Sequence, residues 1–319
     1  MKIAIILFNL GGPDSLEAVQ PFLRNLFGDP AILRLPSLIR RPLASLLARR
    51  RTPKARDIYA KIGGSSPILG QTEAQARALE EALGQDDGKA HEWRGYVCMR
   101  YWHPMTEAVV RSVKRFAPDR IVLLPLYPQF STTTTASSFK AWNDAATFKV
   151  PAKTIESYPT EPGFITASVE LVKQGLAEAG AGPKRVLFSA HGLPERIVKA
   201  GDPYQEQIEQ TADAIAQRLE GVDWSVCYQS RVGPLKWIGP STEAEIQRAG
   251  ADKVGVVLYP ISFVSEHSET LVELDIDYRR LAEMDGVPIY VRVPTVGTHP
   301  LFIHGLANLV KAALWSTTS

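Results

Sequence analysis

Cysteine is nearly absent: only Cys98 and Cys227 carry a thiol, and neither belongs to a CxxC pair. A disulfide framework, a zinc site and an iron–sulfur cluster are therefore not expected, and both cysteines read as small core residues of a protein kept in a reducing cytoplasm. No uninterrupted apolar run of about 18 residues occurs, which removes a spanning helix from consideration. The formal net charge is only +2, too small for bulk attraction to nucleic acid. The N-terminal apolar stretch Ile3 to Phe8 is short and leads into Asn9-Leu10-Gly11-Gly12-Pro13 without a small-residue cleavage site, so it reads as a first buried strand rather than a signal peptide. Two glycine-rich turns, Gly11-Gly12-Pro13 and Gly63-Gly64-Ser65-Ser66-Pro67, match neither GxGxxG nor a P-loop. Tight turns, or close approach of a flat ligand to the backbone, explain these glycines better than a nucleotide does.

What is present is ample core material: 45% apolar and 22% charged residues over 319 positions, enough for two domains. Short Val/Ile/Leu-rich runs at 2–8, 94–99, 120–125, 152–156, 184–189, 223–228, 253–259 and 287–292 read as strands. Helical periodicity fills 104–116, 161–179, 203–220, 241–249, 267–284 and 300–315. Such βαβ alternation predicts an α/β protein with parallel sheets flanked by helices. Three segments recur in order in both halves: LFNLGGP at Leu7 with LFSAHGLP at Leu187, Tyr96-Val97-Cys98 with Ser225-Val226-Cys227, and VLLPLYPQF at Val122 with VVLYPISF at Val256. Duplicated Rossmann-like domains over 1–150 and 151–299 are expected, with the helix at 300–315 packing back on the first. Ligands of open parallel sheets bind beyond the carboxyl ends of the strands. The expected cleft is therefore lined by Leu10 to Pro13, Arg100 to Pro104 and Tyr127 to Ser131 on one rim, and by His191 to Pro194, Gln229 to Pro240 and Ile261 to Glu269 on the other.

His191 follows a strand, with Gly192 and Pro194 fixing the backbone around it, and its imidazole suits a base or metal ligand as well as a helix cap. His91, His103, His299 and His304 read as capping or packing residues. On the helix after Tyr259-Pro260, Glu269, Glu273 and Asp277 fall at i, i+4 and i+8, where like charges on one face call for a cation, shared protons or full solvation. His267 adds an imidazole, and this mixture suits a borderline metal such as Fe²⁺ or Zn²⁺. Residues 30–56 hold eight basic side chains (Arg34, Arg40, Arg41, Arg49, Arg50, Arg51, Lys54, Arg56) and no acidic one, with Leu33, Leu35, Leu38, Ile39, Leu43, Leu46 and Leu47 interleaved. A basic amphipathic segment of this kind rests on an anionic membrane, holds ligand carboxylates, or is simply solvated. Nucleic acid is disfavoured because no aromatic residues interrupt the charges. Tyr59, Tyr127, Phe130, Trp237 and Phe263 at strand ends are core residues or stacking platforms for a planar ligand.

Taken together, NLGGP from Asn9, RRTPK from Arg50, YAKIGGSSPI from Tyr59, RYWHP from Arg100, YPQFS from Tyr127, SAHGLP from Ser189, GDPY from Gly201, QSRVGPLKWIGP from Gln229 and PISFVSEHSETLVELD from Pro260 resemble the ferrochelatase family, in order and across almost the whole chain. The resemblance implies the chelatase fold and insertion of Fe²⁺ into protoporphyrin IX with release of two protons, the final step of haem synthesis. It implies His191 and Glu269 as catalytic and metal-handling residues, His267 as a further metal-handling residue, and Glu273 and Asp277 as a proton or metal relay. Leu10, Ser66, Arg100, Tyr127, Trp237 and Phe263 match pocket positions, and Arg50 and Arg51 match lip positions that meet propionates or membrane. Leu10 stands where the coproporphyrin-using branch resembles Tyr, which favours protoporphyrin. The cysteine-bearing C-terminal extension of cluster-containing members is missing, so no [2Fe–2S] cluster, no resident cofactor and no extended dimerisation tail are expected. The expected protein is a cytoplasmic monomer or weak dimer that touches the inner membrane face through residues 30–56. A cobalt or nickel chelatase, a non-catalytic tetrapyrrole carrier and a two-lobed metal-binding protein are the rival readings.

Overall fold

A computed structural model describes residues 1–86, 90–231 and 235–315. Val232, Gly233 and Pro234, part of the expected Gln229 to Pro240 rim, lie outside the described residues. The chain forms two compact units, Met1–Ser157 with the chain from Leu306 onward, and Tyr158–Gly305.

In the first unit, β1 (Lys2–Asn9), β2 (Glu92–Met99), β3 (Arg120–Pro125) and β4 (Ala152–Thr154) make a parallel sheet in the order β2-β1-β3-β4. β1 is central, and Ile3 to Phe8 are at most 1% exposed, because helices cover both faces of a parallel sheet. These helices include α1 (Val19–Gly28), α2 (Ser37–Ala60), α3 (Ile68–Asp86), α4 (Thr106–Phe116) and α5 (Thr135–Ala145). α4 carries Glu107 in its first turn and Lys114 and Arg115 in its last, each complementing the helix dipole, and it ends on Ala117 in the left-handed region at φ 51°.

The second unit repeats the plan. Here β5 (Lys184–His191), β6 (Asp223–Gln229), β7 (Gly255–Tyr259) and β8 (Tyr290–Arg292) pair in parallel in the order β6-β5-β7-β8. Around them lie α6 (Pro162–Glu178), α7 (Glu195–Lys199), α8 (Tyr204–Ala216), α9 (Thr242–Asp252) and α10 (Tyr278–Met284). Helix α11 (Pro300–Trp315) begins in this unit and ends in the first, where Lys311 pairs with Asp86 at 2.6 Å. The duplication read from the sequence extends to detail. Met99 N–H donates to Pro104 O and Tyr228 N–H to Pro240 O, both at 2.9 Å. Cys98 and Cys227 are both buried beside a threonine hydroxyl, of Thr106 and Thr242 respectively. After α4 and α9 alike, the chain turns through a left-handed residue, Ala117 or Lys253.

Three expectations are corrected. A boundary near residue 150 would assign β4 to the second unit, but β4 pairs with β3 from Ile121↔Ala152 to Leu123↔Thr154, and the first unit runs to Ser157. The segment 30–56 is not amphipathic in the expected sense: the buried positions of α2 are Ala44, Ala48, Thr52 and Tyr59, whereas Leu38, Ile39 and Leu46 are exposed. Small side chains let α2 approach its neighbour closely, and Leu38, Ile39 and Leu46 are left on the outside. Finally, the helix expected over 267–284 is a π-helix from Glu269 to Asp277 followed by α10, with Tyr278 N–H reaching Glu273 O five residues back.

Candidate active site

Parallel strands deliver their last residues to one edge of the sheet, and in the second unit that edge carries the chemistry. His191 is the final residue of β5, opposite Gln229 of β6. Its main-chain N–H donates to Ser262 Oγ at 3.3 Å, just past β7. Gly192 must be glycine here: its N–H donates to Gln229 O at 2.9 Å, and a Cβ would lie 2.9 Å from that same oxygen and 3.3 Å from the Trp237 ring. His191 is thereby held by three strands, with its side chain 39% exposed.

Opposite it stands the π-helix. His191 Nδ1 and Glu269 Oε2 lie 2.9 Å apart. Ser230, directly after β6 and left-handed at φ 61°, donates its N–H to Glu273 Oε1 at 2.9 Å. Its hydroxyl touches both Glu269 Oε2, at 3.2 Å, and Glu273 Oε2. A hydroxyl has one proton to give, so the Ser230 hydroxyl donates to one carboxylate and accepts from the other when that one is protonated. The charges sort accordingly. Burial acts to raise the Glu269 carboxyl pKa, but the adjacent His191, with His267 and Ser230, outweighs it and holds the group well below the usual carboxylate range. Burial and the Glu269 charge push Glu273 up. Burial favours neutral His191, yet Glu269 and Glu273 prevail and raise its pKa. Two carboxyls pushed in opposite directions within one hydrogen-bonded chain are the usual mark of acid–base chemistry. The arrangement Glu273, Ser230, Glu269, His191 can pass a proton along its length.

His267 is 8% exposed, its ring centroid lies 4.5 Å from that of Phe263, and its Nε2 is 4.0 Å from Glu269 Oε1. Burial lowers its pKa and keeps it neutral. Among the described residues no three His, Cys, Asp or Glu side chains converge to hold a metal ion. Glu269 turns Oε2 to His191 and Oε1 toward His267, so the three side chains are neighbours. Asp277, last in the π-helix, is exposed, so the acidic row runs from half-buried Glu269 to solvent. Trp237 makes an antiparallel bridge with Pro194, and both it and Phe263 are half-buried. Ser230 and Tyr204 were not singled out from sequence. Tyr204 OH touches Ser262, the residue that anchors His191, and nothing in linear spacing signals such a contact.

In the first unit Leu10 is half-buried against two core clusters and Tyr127 is buried in one of them. Burial pushes the Tyr127 phenol far up, so it stays neutral. Ser66 accepts Ile68 N–H at 3.4 Å, and a Cβ on Gly12 would sit 2.5 Å from Ser66 Oγ, which explains the glycine by close approach. Arg100 is tied down: its guanidinium meets buried Asp29 at 2.8 Å and Ser137 Oγ at 2.7 Å. Tyr101 OH completes the Asp29 shell at 2.9 Å. Arg50 and Arg51 are exposed on α2.

Comparison with known proteins agrees with this geometry. The sequence model of the family described as Ferrochelatase matches residues 2–314. A ferrochelatase of Caulobacter vibrioides is 55% identical over 312 residues, covering 97% of this chain and 90% of the relative. One of Wolbachia sp. subsp. Drosophila simulans is 52% identical, covering 97% and 98%. Among solved structures, SirB from Bacillus subtilis with Fe3+ superposes with a TM-score of 0.56 at 12% identity over 98% of this chain and 96% of its own. CbiX, the terminal enzyme for biosynthesis of siroheme in denitrifying bacteria, gives 0.53 at 17% identity over 98% and 99%. At such identity these two speak for the fold alone, which is that of the chelatases. With the family match spanning nearly every described residue and the histidine–carboxylate chain at the strand ends, the chain belongs to the ferrochelatase family.

Proposed function

We propose that the protein is a lyase-class chelatase that inserts Fe²⁺ into protoporphyrin IX, releasing two protons and forming protohaem, the last step of haem synthesis. The observation that carries this reading is the hydrogen-bonded series His191–Glu269–Ser230–Glu273 at the carboxyl edge of one sheet. Metal insertion exchanges two pyrrole N–H protons for one divalent ion, so the site needs proton acceptors beside a place for the cation. Glu269 holds His191 through Nδ1, which directs the Nε2 lone pair outward as the acceptor for a ring proton. The negative charge of Glu269, with His267 beside it, draws Fe²⁺ in as substrate, and Glu273 and exposed Asp277 take protons or metal toward solvent.

In this reading Leu10, Ser66, Arg100, Tyr127, Trp237 and Phe263 contact or shape the macrocycle, and Arg50 and Arg51 meet its propionates. Leu10 favours protoporphyrin over coproporphyrin. No resident cofactor or [2Fe–2S] cluster takes part; buried Cys98 and Cys227, whose thiol pKa values burial pushes up to about 12, suit packing rather than ligation. The enzyme works as a cytoplasmic monomer or weak dimer, resting on anionic lipid through residues 30–56, without nucleic acid. Exposed Leu35, Leu38, Ile39 and Leu46 beside Arg41, Arg49 and Arg50 support that contact.

Anaerobic incubation with protoporphyrin IX and Fe²⁺ tests the reading. A haem spectrum that fails to form with His191→Ala is the expected result. Turnover only with Co²⁺ or Ni²⁺ and a more carboxylated tetrapyrrole, or near-wild-type insertion by His191→Ala, would overturn it.

A further inference from the structure

The π-helix is the rarest of the regular helices, and uncommon backbone conformations persist only where their surroundings over-determine them. Strand β8 supplies that determination. Tyr290 OH donates to the Leu274 carbonyl at 2.7 Å, a bond buried within the second unit. Two residues on, the Arg292 guanidinium forks onto Asp275 Oδ2, with Nη2 at 2.6 Å and Nε at 3.1 Å. Its Nη1 reaches Glu266 Oε1 at 2.6 Å, and that oxygen also accepts Thr295 N–H at 2.9 Å. One cation thus ties residues on both sides of His267 and Glu269.

The carbonyl that Tyr290 meets is a telling one. The π ladder ends with Tyr278 N–H on Glu273 O. Where an i→i+5 ladder returns to i→i+4, one carbonyl is passed over, and the next along is that of Leu274. Arg279 adds to the junction, with Nε on Asp275 O at 3.1 Å and Nη1 on Tyr290 O at 2.8 Å. Tyr290 is 7% exposed and the Arg292 side chain 10%, so neither group is spent on solvent.

We propose that Tyr290 and Arg292 are positioning residues that hold the carboxylate helix in its i→i+5 register, and so keep Glu269 against His191 and Glu273 against Ser230. Neither touches the reacting atoms. An i→i+5 ring contains one more residue than an α-helical one, so loss of the register turns Glu269 about the helix axis relative to Asp275. The rate effect rests on the metal-insertion reading above; the register does not.

The test compares Tyr290→Phe, Arg292→Lys and Arg292→Gln with Tyr259→Phe, whose equally buried hydroxyl on β7 bonds Ser168 Oγ instead, at 2.7 Å. Each full-length variant is crystallised and assayed for Fe²⁺ insertion into protoporphyrin IX. In Tyr290→Phe and Arg292→Gln the segment 269–277 is expected to rewind to i→i+4, with Glu269 out of hydrogen-bond reach of His191. Their kcat falls about tenfold or more while the porphyrin KM holds. Arg292→Lys, which keeps the charge but not the fork, recovers part of kcat. Tyr259→Phe leaves both readouts unchanged. An intact i→i+5 ladder with wild-type kcat in Tyr290→Phe overturns the proposal, as does an equal loss in Tyr259→Phe. If the wild type inserts no metal, the functional reading fails, and the crystallographic register still decides this one.

Discussion

Ser230 links two carboxylates whose protonation differs, and it does so from a backbone conformation that disfavours any side chain. Ser230→Gly separates the two effects, because glycine accepts φ 61° freely while the hydroxyl is lost. The variant should unfold at the same or a higher temperature and insert metal roughly a hundredfold more slowly, as expected for removal of one proton-transfer group; calorimetry and a stopped-time assay read the two quantities. Glu266 makes a different prediction. Burial acts to raise its pKa, but Arg292 and the Thr270 and Thr295 hydrogen bonds leave it lowered overall. A carboxyl depressed in the folded state stabilises the fold above its unfolded value of about 4.3, and that stability drains away as pH falls through the folded value. Denaturant midpoints measured downward from about pH 6 should drop on this acid limb, and Glu266→Gln should flatten it. His191 has the opposite sign. Its raised pKa contributes below its unfolded value of about 6.5 and is lost as pH rises through the folded one, weakly because the side chain is 39% exposed.

Among elements, strands were legible and helices less so. β1, β3 and β5 begin within a residue of the spans read from their Val/Ile/Leu runs, because a strand covered on both faces needs a largely apolar sequence. α1, α3 and α5 were not read from periodicity, and α2 was read for its charge. Up to Tyr59 its buried positions are the small residues Ala44, Ala48 and Thr52, which no hydrophobic pattern announces, and it holds Pro42 and Pro53 within its length. The turn at Gly12 shows the same dependence on tertiary contact. Gly12→Ala would drive a methyl into Ser66, and should cost about 1–3 kcal/mol by overpacking, read as a lower denaturant midpoint. The π-helix was invisible for a related reason: Glu269, Glu273 and Asp277 keep the spacing of an α-helical face, while the contacts proposed to hold the wider register come from β8, distant in sequence.

At the scale of the whole molecule, no described helix is long and apolar enough to cross a membrane. The lipid contact proposed above is assigned to the outer face of α2, where Leu38, Ile39 and Leu46 are exposed. Liposome flotation on anionic vesicles should weaken when Arg41, Arg49 and Arg50 are changed to Glu, and unchanged flotation removes the membrane contact. Arg40 is left out of that set, since it is bound to the Gly28 and Leu35 carbonyls at 2.9 Å and 2.6 Å. The α/β class, the duplication and the candidacy of His191 and Glu269 were legible in the sequence alone, because apolar runs, repeated strand-end segments and dense motifs are local properties of the chain. Tertiary structure decided the rest. It paired β4 with the first sheet, turned Leu38, Ile39 and Leu46 of α2 outward, bound Arg100 to Asp29, put Ser230 between two carboxylates and wound their helix as π. Each of these depends on a partner distant in sequence, and a hydrogen bond formed across the fold leaves no periodic trace in the residues that make it.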